Sequence, residues 1–255
     1  MDLFQVLILA VVEGLTEFLP VSSTGHLILT SKLLSIPQTD FVKTFEISIQ
    51  SGAILSVVFL YWRKLLTQRK ILENVIFAFL PTALIGFILY SFIKSFLIGN
   101  LNITISALLI GGILIIFVER YFKEKEKKFT IFDLSIKQSL LIGLIQSISV
   151  IPGVSRSAAT IIGGMFLGLS RKEAVEFSFL LAIPTMISAT GYDLFKNAST
   201  FDSSQLLTLS IGFIASFIAA LFAVKWFIKY VSTNNLIPFG IYRIIIAILF
   251  LLFLG

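Results

Sequence analysis

Glu13-Gly14-Leu15-Thr16-Glu17-Phe18-Leu19-Pro20-Val21-Ser22-Ser23-Thr24-Gly25-His26 interrupts an apolar N-terminal region with two carboxylates, a proline, four hydroxyls and an imidazole. Glu13 and Glu17, four residues apart, share one face if the segment before Pro20 is helical. Pro20 then ends that helix. Ser22, Ser23 and Thr24 supply N-cap signals for a following one, and Gly25 lets backbone approach a ligand closely. The surrounding composition decides what such a stretch means. Of 255 residues, 57% are hydrophobic and only 13% charged, and the mean hydropathy is +0.99. That leaves too little polar surface to cover a water-soluble globule, so the chain is read as an all-α polytopic membrane protein. Carboxylates and non-helical backbone persist at membrane depth only where protein buries them or they line a cavity, which makes residues 13–26 a candidate functional site.

Working outward, residues 3–12 form an apolar run of ten, half the roughly twenty needed to cross hydrocarbon. A second short apolar piece, residues 27–36, follows the polar stretch. The pair reads as a re-entrant couple of half-helices meeting at a broken tip, with both ends on one side. Residues 45–62, 75–93 and 101–118 are each long enough for a full crossing. A charged linker at 119–128 divides the chain, and the pattern then recurs. Short apolar 140–145 leads through Gln146-Ser-Ile-Ser-Val-Ile-Pro-Gly-Val-Ser-Arg-Ser-Ala-Ala-Thr160 into apolar 161–169, followed by spans 174–192, 206–228 and 236–254. A shift of 133 places Val21-Ser22-Ser23 on Val154-Ser155-Arg156 and Glu13 on Gln146. Shifts of 130 and 135 align Phe45-Glu46-Ile47-Ser48 with Val175-Glu176-Phe177-Ser178 and Asn100-Leu101 with Asn235-Leu236. Their order and near-constant offset indicate a duplication. Repeat 1 covers about 1–120, the linker about 119–137 and repeat 2 about 138–255 of one membrane domain.

A re-entrant pair plus three crossings is an odd number of crossings, so the second half enters from the opposite side as an inverted-topology repeat. The cations agree. Arg63, Lys64, Arg69, Lys70, Arg120, Lys123, Lys125, Lys127, Lys128, Lys137, Arg171, Lys172, Lys225 and Lys229 fall on one side, fourteen against Lys32, Lys43, Lys94 and Lys196 on the other. The first side is expected to be cytoplasmic, leaving both termini outside. Topology thus accounts for the net charge of +6 without a nucleic-acid partner. Only Arg156 and Arg243 remain at membrane depth, and Arg243, about seven residues into the last span, is expected to snorkel to the cytoplasm. Glu46 and Glu176 are expected at span starts, favoured by the helix dipole. No basic n-region precedes the first apolar run, so the N-terminus is expected to be retained. The chain has no cysteine and a single histidine, His26.

Inverted tips meeting near the midplane would set Glu13, Glu17, Ser22, Ser23, Thr24, Gly25 and His26 against Gly153, Ser155, Arg156, Ser157 and Thr160. Arg156 offers a fork of donors suited to phosphate oxygens, and the hydroxyls and half-helix N-termini add to an anion site. Two carboxylates beside phosphate repel it, which suggests a divalent cation held by Glu13 and Glu17, Mg2+ or Ca2+. Ser23 or a water is positioned to attack phosphorus, with His26 or a glutamate shuttling the proton. The blander readings are a solvated acidic pair, a capping histidine, capping hydroxyls and a snorkelling arginine; the apolar flanks weigh against the acidic face and against the arginine.

The Glu13–His26 stretch and Pro152-Gly-Val-Ser-Arg156-Ser-Ala-Ala-Thr160 resemble the two signature motifs of the bacterial undecaprenyl pyrophosphate phosphatases, the bacitracin-resistance membrane family. The likeness covers length, span order and motif spacing, with no departure inside either motif. It implies hydrolysis of the C55 carrier's pyrophosphate to the monophosphate in the plasma membrane, recycling the carrier for peptidoglycan synthesis. It also implies Glu13 and Glu17 as the acidic pair, Ser23 and His26 as nucleophile or proton-transfer candidates, and Arg156 as the phosphate-binding arginine. Membrane lipids and a polyisoprenyl pyrophosphate are the expected partners, and a homodimer is compatible with the sequence. Architecture alone favours a second class, a lipid-phosphate transporter or flippase, because broken half-helices in inverted repeats are a transport device. Phosphate release in detergent separates the two, since transport needs a sealed compartment.

Overall fold

The computed structural model describes residues 1–92, 97, 100–122, 129–196 and 205–254. Lys94, Gly99, Lys123, Lys125, Lys127 and Lys128 lie outside them, as does the side chain of Lys196. Among the described residues the regular elements are helices, two of them one-turn 3-10 segments, and Phe129 and Leu169 form a single bridge. Two short helices open it: α1, Leu3–Thr16, and α2, Ser23–Leu33. Three long ones follow: α3, Asp40–Thr67; α4, Arg69–Phe92; and α5, Leu101–Phe122. The second half repeats this order with short α6, Ile136–Gln146, and α7, Arg156–Phe166, then α8, Arg171–Lys196; α9, Leu206–Val231; and α10, Ile237–Leu254.

Helices α3, α4, α5, α8 and α9 are long and apolar enough to cross a bilayer. The sixth expected span, α10, has 18 residues, about 27 Å at 1.5 Å per residue. The four short helices, of 14, 11, 11 and 11 residues, reach at most roughly 21 Å and cannot cross alone. Large apolar side chains such as Phe87, Leu207 and Phe222 are more than two-thirds exposed, a surface suited to lipid. The chain is a polytopic, multi-pass membrane protein.

Local chemistry sets the helix ends. Asp2 and Gln5 form a reciprocal capping box on α1, and Ser135 and Gln138 do the same on α6, each satisfying two otherwise orphaned N–H groups. Thr39 caps α3 through the Val42 amide, and Ser155 caps α7 through that of Ala158. The first half-helix ends before Pro20, at Thr16 with Glu17 as its C-cap, because proline drives its predecessor out of the helical region. The shared face survives: the Glu17 amide donates to the Glu13 carbonyl at 2.9 Å.

Two of the short helices pack across the halves. Helix α1 lies on α9 and α6 on α4, while α3 joins α8 and α9, and α5 pairs with α10. A Cβ on Gly14 would meet the Ser216 carbonyl of α9 at 2.5 Å, and one on Gly143 would collide with the Ala78 carbonyl of α4. Only glycine allows these backbones so close, the small-residue device of membrane helix packing.

At one end of the bundle the charged ends are tied together. Lys64 pairs with Glu176 at 2.5 Å. Arg171 grips buried Glu119 with two bonds of 2.7 and 2.6 Å, and Glu119 also accepts the Leu236 amide. Three expectations are corrected here. Glu176 sits inside α8 as an ion-pair partner and Glu46 sits six residues past the first residue of α3, so neither is a helix-start carboxylate. Arg243 does not snorkel. It is 0% exposed, because backbone carbonyls inside the bundle accept its donors and make retreat to water unnecessary.

Candidate active site

Both breaks are built alike. Ser22 precedes α2 with φ 73°, and Ser155 precedes α7 with φ 72°. This left-handed region is uncommon for any residue but glycine. Held this way, each serine turns the chain so that the next residue, Ser23 or Arg156, occupies the first position of a helix. The free N–H groups and the positive dipole end of a helix N-terminus favour an anion there. Gly153 reaches φ 93°, and a Cβ on it would collide with the Thr104 carbonyl of α5.

Between the breaks and the far halves of α4 and α8 lies a cavity of about 640 Å³. Glu17, Ser22, Ser23 and Thr24 line it from the first break, and Gly153, Ser155 and Arg156 from the second. One face of α4 (Phe79, Thr82, Ala83, Gly86, Phe87 and Tyr90) forms an apolar wall, and Met186, Ala189 and Tyr192 of α8 face it. Tyr90 and Tyr192 meet edge to face, 5.0 Å between ring centroids. Gln50 of α3 and Thr185 of α8 also line the space; the sequence reading did not name them. Gln50 lies one helical turn beyond Glu46, a polar pair inside an apolar span, and that was the available signal.

The polar end of the cavity is a hydrogen-bonded relay. Ser23 Oγ donates to Glu17 Oε2 at 2.5 Å, and Arg156 Nη2 donates to Glu17 Oε1 at 3.1 Å. Arg156 Nη1 donates to the Ser178 carbonyl at 3.1 Å, while its buried Nε has no protein acceptor. The Phe18 ring lies 5.5 Å beneath the guanidinium. Behind Glu17, Glu13 is 0% exposed, and neither of its carboxylate oxygens has a donor. Its charged neighbours are Glu17, Glu46 and Arg156.

Other residues named from the sequence are placed elsewhere. His26 is buried behind the first break. Its Nδ1 must donate to the Ser22 carbonyl, 2.8 Å away, because a carbonyl only accepts; Nε2 then accepts from Tyr242 Oη at 2.7 Å. Neither ring nitrogen is left for the cavity. Gly25 faces Leu108 of α5. Ser157 donates to the Leu19 carbonyl at 2.6 Å, tying the second break to the first. Thr160 is buried against Ser178 at 2.5 Å, with its hydroxyl also reaching the Arg156 carbonyl. Gln146, the counterpart of Glu13, donates to Thr82 and Thr185 at 2.8 and 3.3 Å.

No group of three or more His, Asp or Glu able to hold a metal occurs among the described residues. A two-carboxylate site remains chemically apt, since the donor-free oxygens of Glu13 next to Glu17 suit a hard divalent cation that completes its shell with phosphate oxygens and water.

With this geometry in view, the family model for bacitracin resistance protein BacA matches residues 6–249, nearly the whole chain and both breaks. The chain belongs to the BacA family. Similar members are the undecaprenyl-diphosphatase of Aquifex aeolicus, 52% identical over 250 residues and 98% of both chains. That of Sulfurihydrogenibium sp. is 51% identical over 99% of both, and that of Wolinella succinogenes 51% over 100% of this chain and 99% of its own. In this BacA family member the paired carboxylates, the Ser23–Glu17 hydrogen bond and Arg156 all fall within the matched region.

Proposed function

We propose that the protein hydrolyses undecaprenyl pyrophosphate to undecaprenyl phosphate and inorganic phosphate, recycling the lipid carrier and conferring resistance to bacitracin. One observation carries the site assignment. Ser23 Oγ, Glu17 and Arg156 form a continuous relay on a cavity whose α4 and α8 walls are largely apolar, joining a nucleophile–base pair to a phosphate-binding cation beside a place for a prenyl chain. The relatives' activity favours hydrolysis over transport.

In this reading the terminal phosphate sits between the N-termini of α2 and α7, beside Arg156, whose buried Nε lacks a protein acceptor, and Ser155, Ser22 and Thr24 add polar contacts. Glu17 takes the proton of Ser23 as Oγ attacks the terminal phosphorus, and the bond to the bridging oxygen breaks, releasing undecaprenyl phosphate. Water then attacks the phosphoserine, Glu17 returns the proton to Oγ, and inorganic phosphate leaves. A direct attack by water with Glu17 as base gives the same products, and acid-quenched mass spectrometry for phosphorylated Ser23 decides between them. Glu13 and Glu17 would hold the divalent cation, which when bound neutralises phosphate charge.

Inverted topology completes the proposal. The same helix order in both halves, Ser22 and Ser155 in matching conformations, and the reciprocal packing of α1 on α9 and α6 on α4 support a two-fold related repeat. The cation-rich end carrying Lys64, Arg171 and Glu119 is then cytoplasmic. The cavity, lined by the opposite ends of α4 and α8, faces outward.

Phosphate release from C55 pyrophosphate by the detergent-purified protein, with and without chelator, tests the function. We expect turnover in the wild type and at least about a 100-fold loss in Arg156→Lys. No release from folded wild-type protein with Mg2+ supplied would refute the assignment.

A further inference from the structure

Arg243 takes no part in the relay, yet it is the largest fully buried side chain among the described residues. Its guanidinium has five N–H donors, and the structure gives each one a backbone carbonyl. Nε reaches Leu108 at 3.3 Å and Nη2 reaches Ala107 at 3.0 Å, both on α5. Nη1 reaches Pro20 of the first break at 3.3 Å, while Val154 and Gly153 of the second accept from Nη1 and Nη2 at 3.1 and 2.8 Å. Pro20 and Gly153 occupy equivalent places, each two residues before the left-handed serine of its own break. The neighbouring residue reinforces the first contact: Tyr242 holds His26, and His26 holds the Ser22 carbonyl.

A buried cation with no carboxylate among its partners is costly unless its surroundings are fixed. Here three of the five carbonyls, those of Pro20, Gly153 and Val154, come from the two segments of broken backbone, and the other two, of Ala107 and Leu108, come from α5. The berth is made by Gly111, where a Cβ would collide with Nη2 of Arg243.

We propose that Arg243 is the positioning residue of the phosphate site. It fixes the separation of the two breaks so that Ser23 and Arg156 address one phosphate group. The statement about catalysis rests on the hydrolase reading above; the statement about geometry does not. Lysine at 243 keeps the charge but can reach only part of the five-carbonyl set. Alanine at 111 keeps the arginine and pushes its head out of the berth. Both changes should therefore misplace the breaks in a protein that still folds.

Two readouts test this, in the full-length protein purified in detergent. The first is kinetic, with C55 pyrophosphate. Arg243→Lys and Gly111→Ala should each lower kcat by about 100-fold, the effect of an ångström-scale misplacement, with KM changed less than about threefold. The double variant should be no worse than the poorer single one, because both act on one contact. The second needs no substrate. Spin labels on Thr24→Cys, just after the first break, and on Ser149→Cys, in the 3-10 turn Ser147–Val150 leading into the second, in a chain with no other cysteine, should give a narrow distance distribution with Arg243 and a broad or shifted one in Arg243→Lys and in Gly111→Ala. Unchanged distributions in both variants overturn the proposal, as does wild-type kcat in both. A broadened distribution in protein that fails to hydrolyse C55 pyrophosphate even as wild type leaves the positioning role standing and removes the hydrolase reading instead.

Discussion

Arg156 divides its guanidinium between the Glu17 carboxylate, the Ser178 carbonyl and Met186 Sδ and leaves its buried Nε without an acceptor, and this decides what can replace it. Its pair with Glu17 is about nine-tenths buried on both sides, so deleting one partner strands a charge at a cost of about 3–5 kcal/mol. Arg156→Ala thus confounds folding with catalysis, whereas Arg156→Lys keeps the charge and loses the planar fork. Turnover near wild type in Arg156→Lys would remove the arginine from phosphate recognition. Ser23→Ala leaves Glu17 with its Arg156 contact, so the protein should fold with a normal melting temperature while kcat falls about 100-fold or more. Glu13 makes a different test possible. If its donor-free oxygens hold a cation, Glu13→Gln should weaken Mn2+ binding, followed by electron paramagnetic resonance, and raise the Mg2+ concentration for half activity. Equal Mn2+ affinity in wild type and Glu13→Gln would remove Glu13 from the metal. Most of this cluster was legible in the sequence, because charge in an apolar segment is conspicuous. The engagement of His26 was not, since its partner Tyr242 lies 216 residues away and no local pattern announces it.

The short helices depend on glycine at their crossings. Gly143 leaves no room for a Cβ beneath the Ala78 carbonyl, whereas a Cβ on Gly86 of α4 would meet nothing within 4 Å. Gly143→Ala should therefore destabilise the protein by about 1–3 kcal/mol through overpacking. Gly86→Ala should hold or gain stability by up to about 1 kcal/mol through helix propensity. Thermal melts in one detergent compare them, and a Gly143→Ala protein as stable as wild type would show that α6 and α4 are not in tight contact. The sequence announced these elements through run length: ten apolar residues are too few to cross, and the structure ends α1 at Thr16 and α6 at Gln146. Pro20 marked the stop, and the helix closes a turn ahead of it, at Thr16 with Glu17 as its C-cap. The sequence placed Arg243 at an interface, because hydropathy registers the cost of a charge but not the carbonyls that two distant breaks supply.

Across the whole molecule, the cation-rich ion pairs and the cavity lie toward opposite ends of the bundle. The ion-paired end carries Lys64, Arg171 and Glu119, and the cavity opens between the opposite ends of α4 and α8. A membrane-impermeant thiol reagent added to intact cells should label Thr24→Cys and spare Lys70→Cys. Labelling of Lys70→Cys alone would invert the topology. The resting of α1 on α9 has a consequence in time. Helix α1 is made well before its partner, which begins at Leu206, so at about 5–20 residues per second it waits roughly ten seconds or more for its seat. Throughout that wait Glu13 lacks the cover that α9 gives its helix, and α1 is expected to stay at the membrane surface until the last fifth of the chain is inserted. Ribosome-stalled chains ending near residue 200 should leave a cysteine at Gly14 open to water-soluble reagents, and full-length chains should bury it. Assembly of the catalytic tip is then the closing act of biogenesis, which keeps an incomplete chain from presenting a working phosphate site.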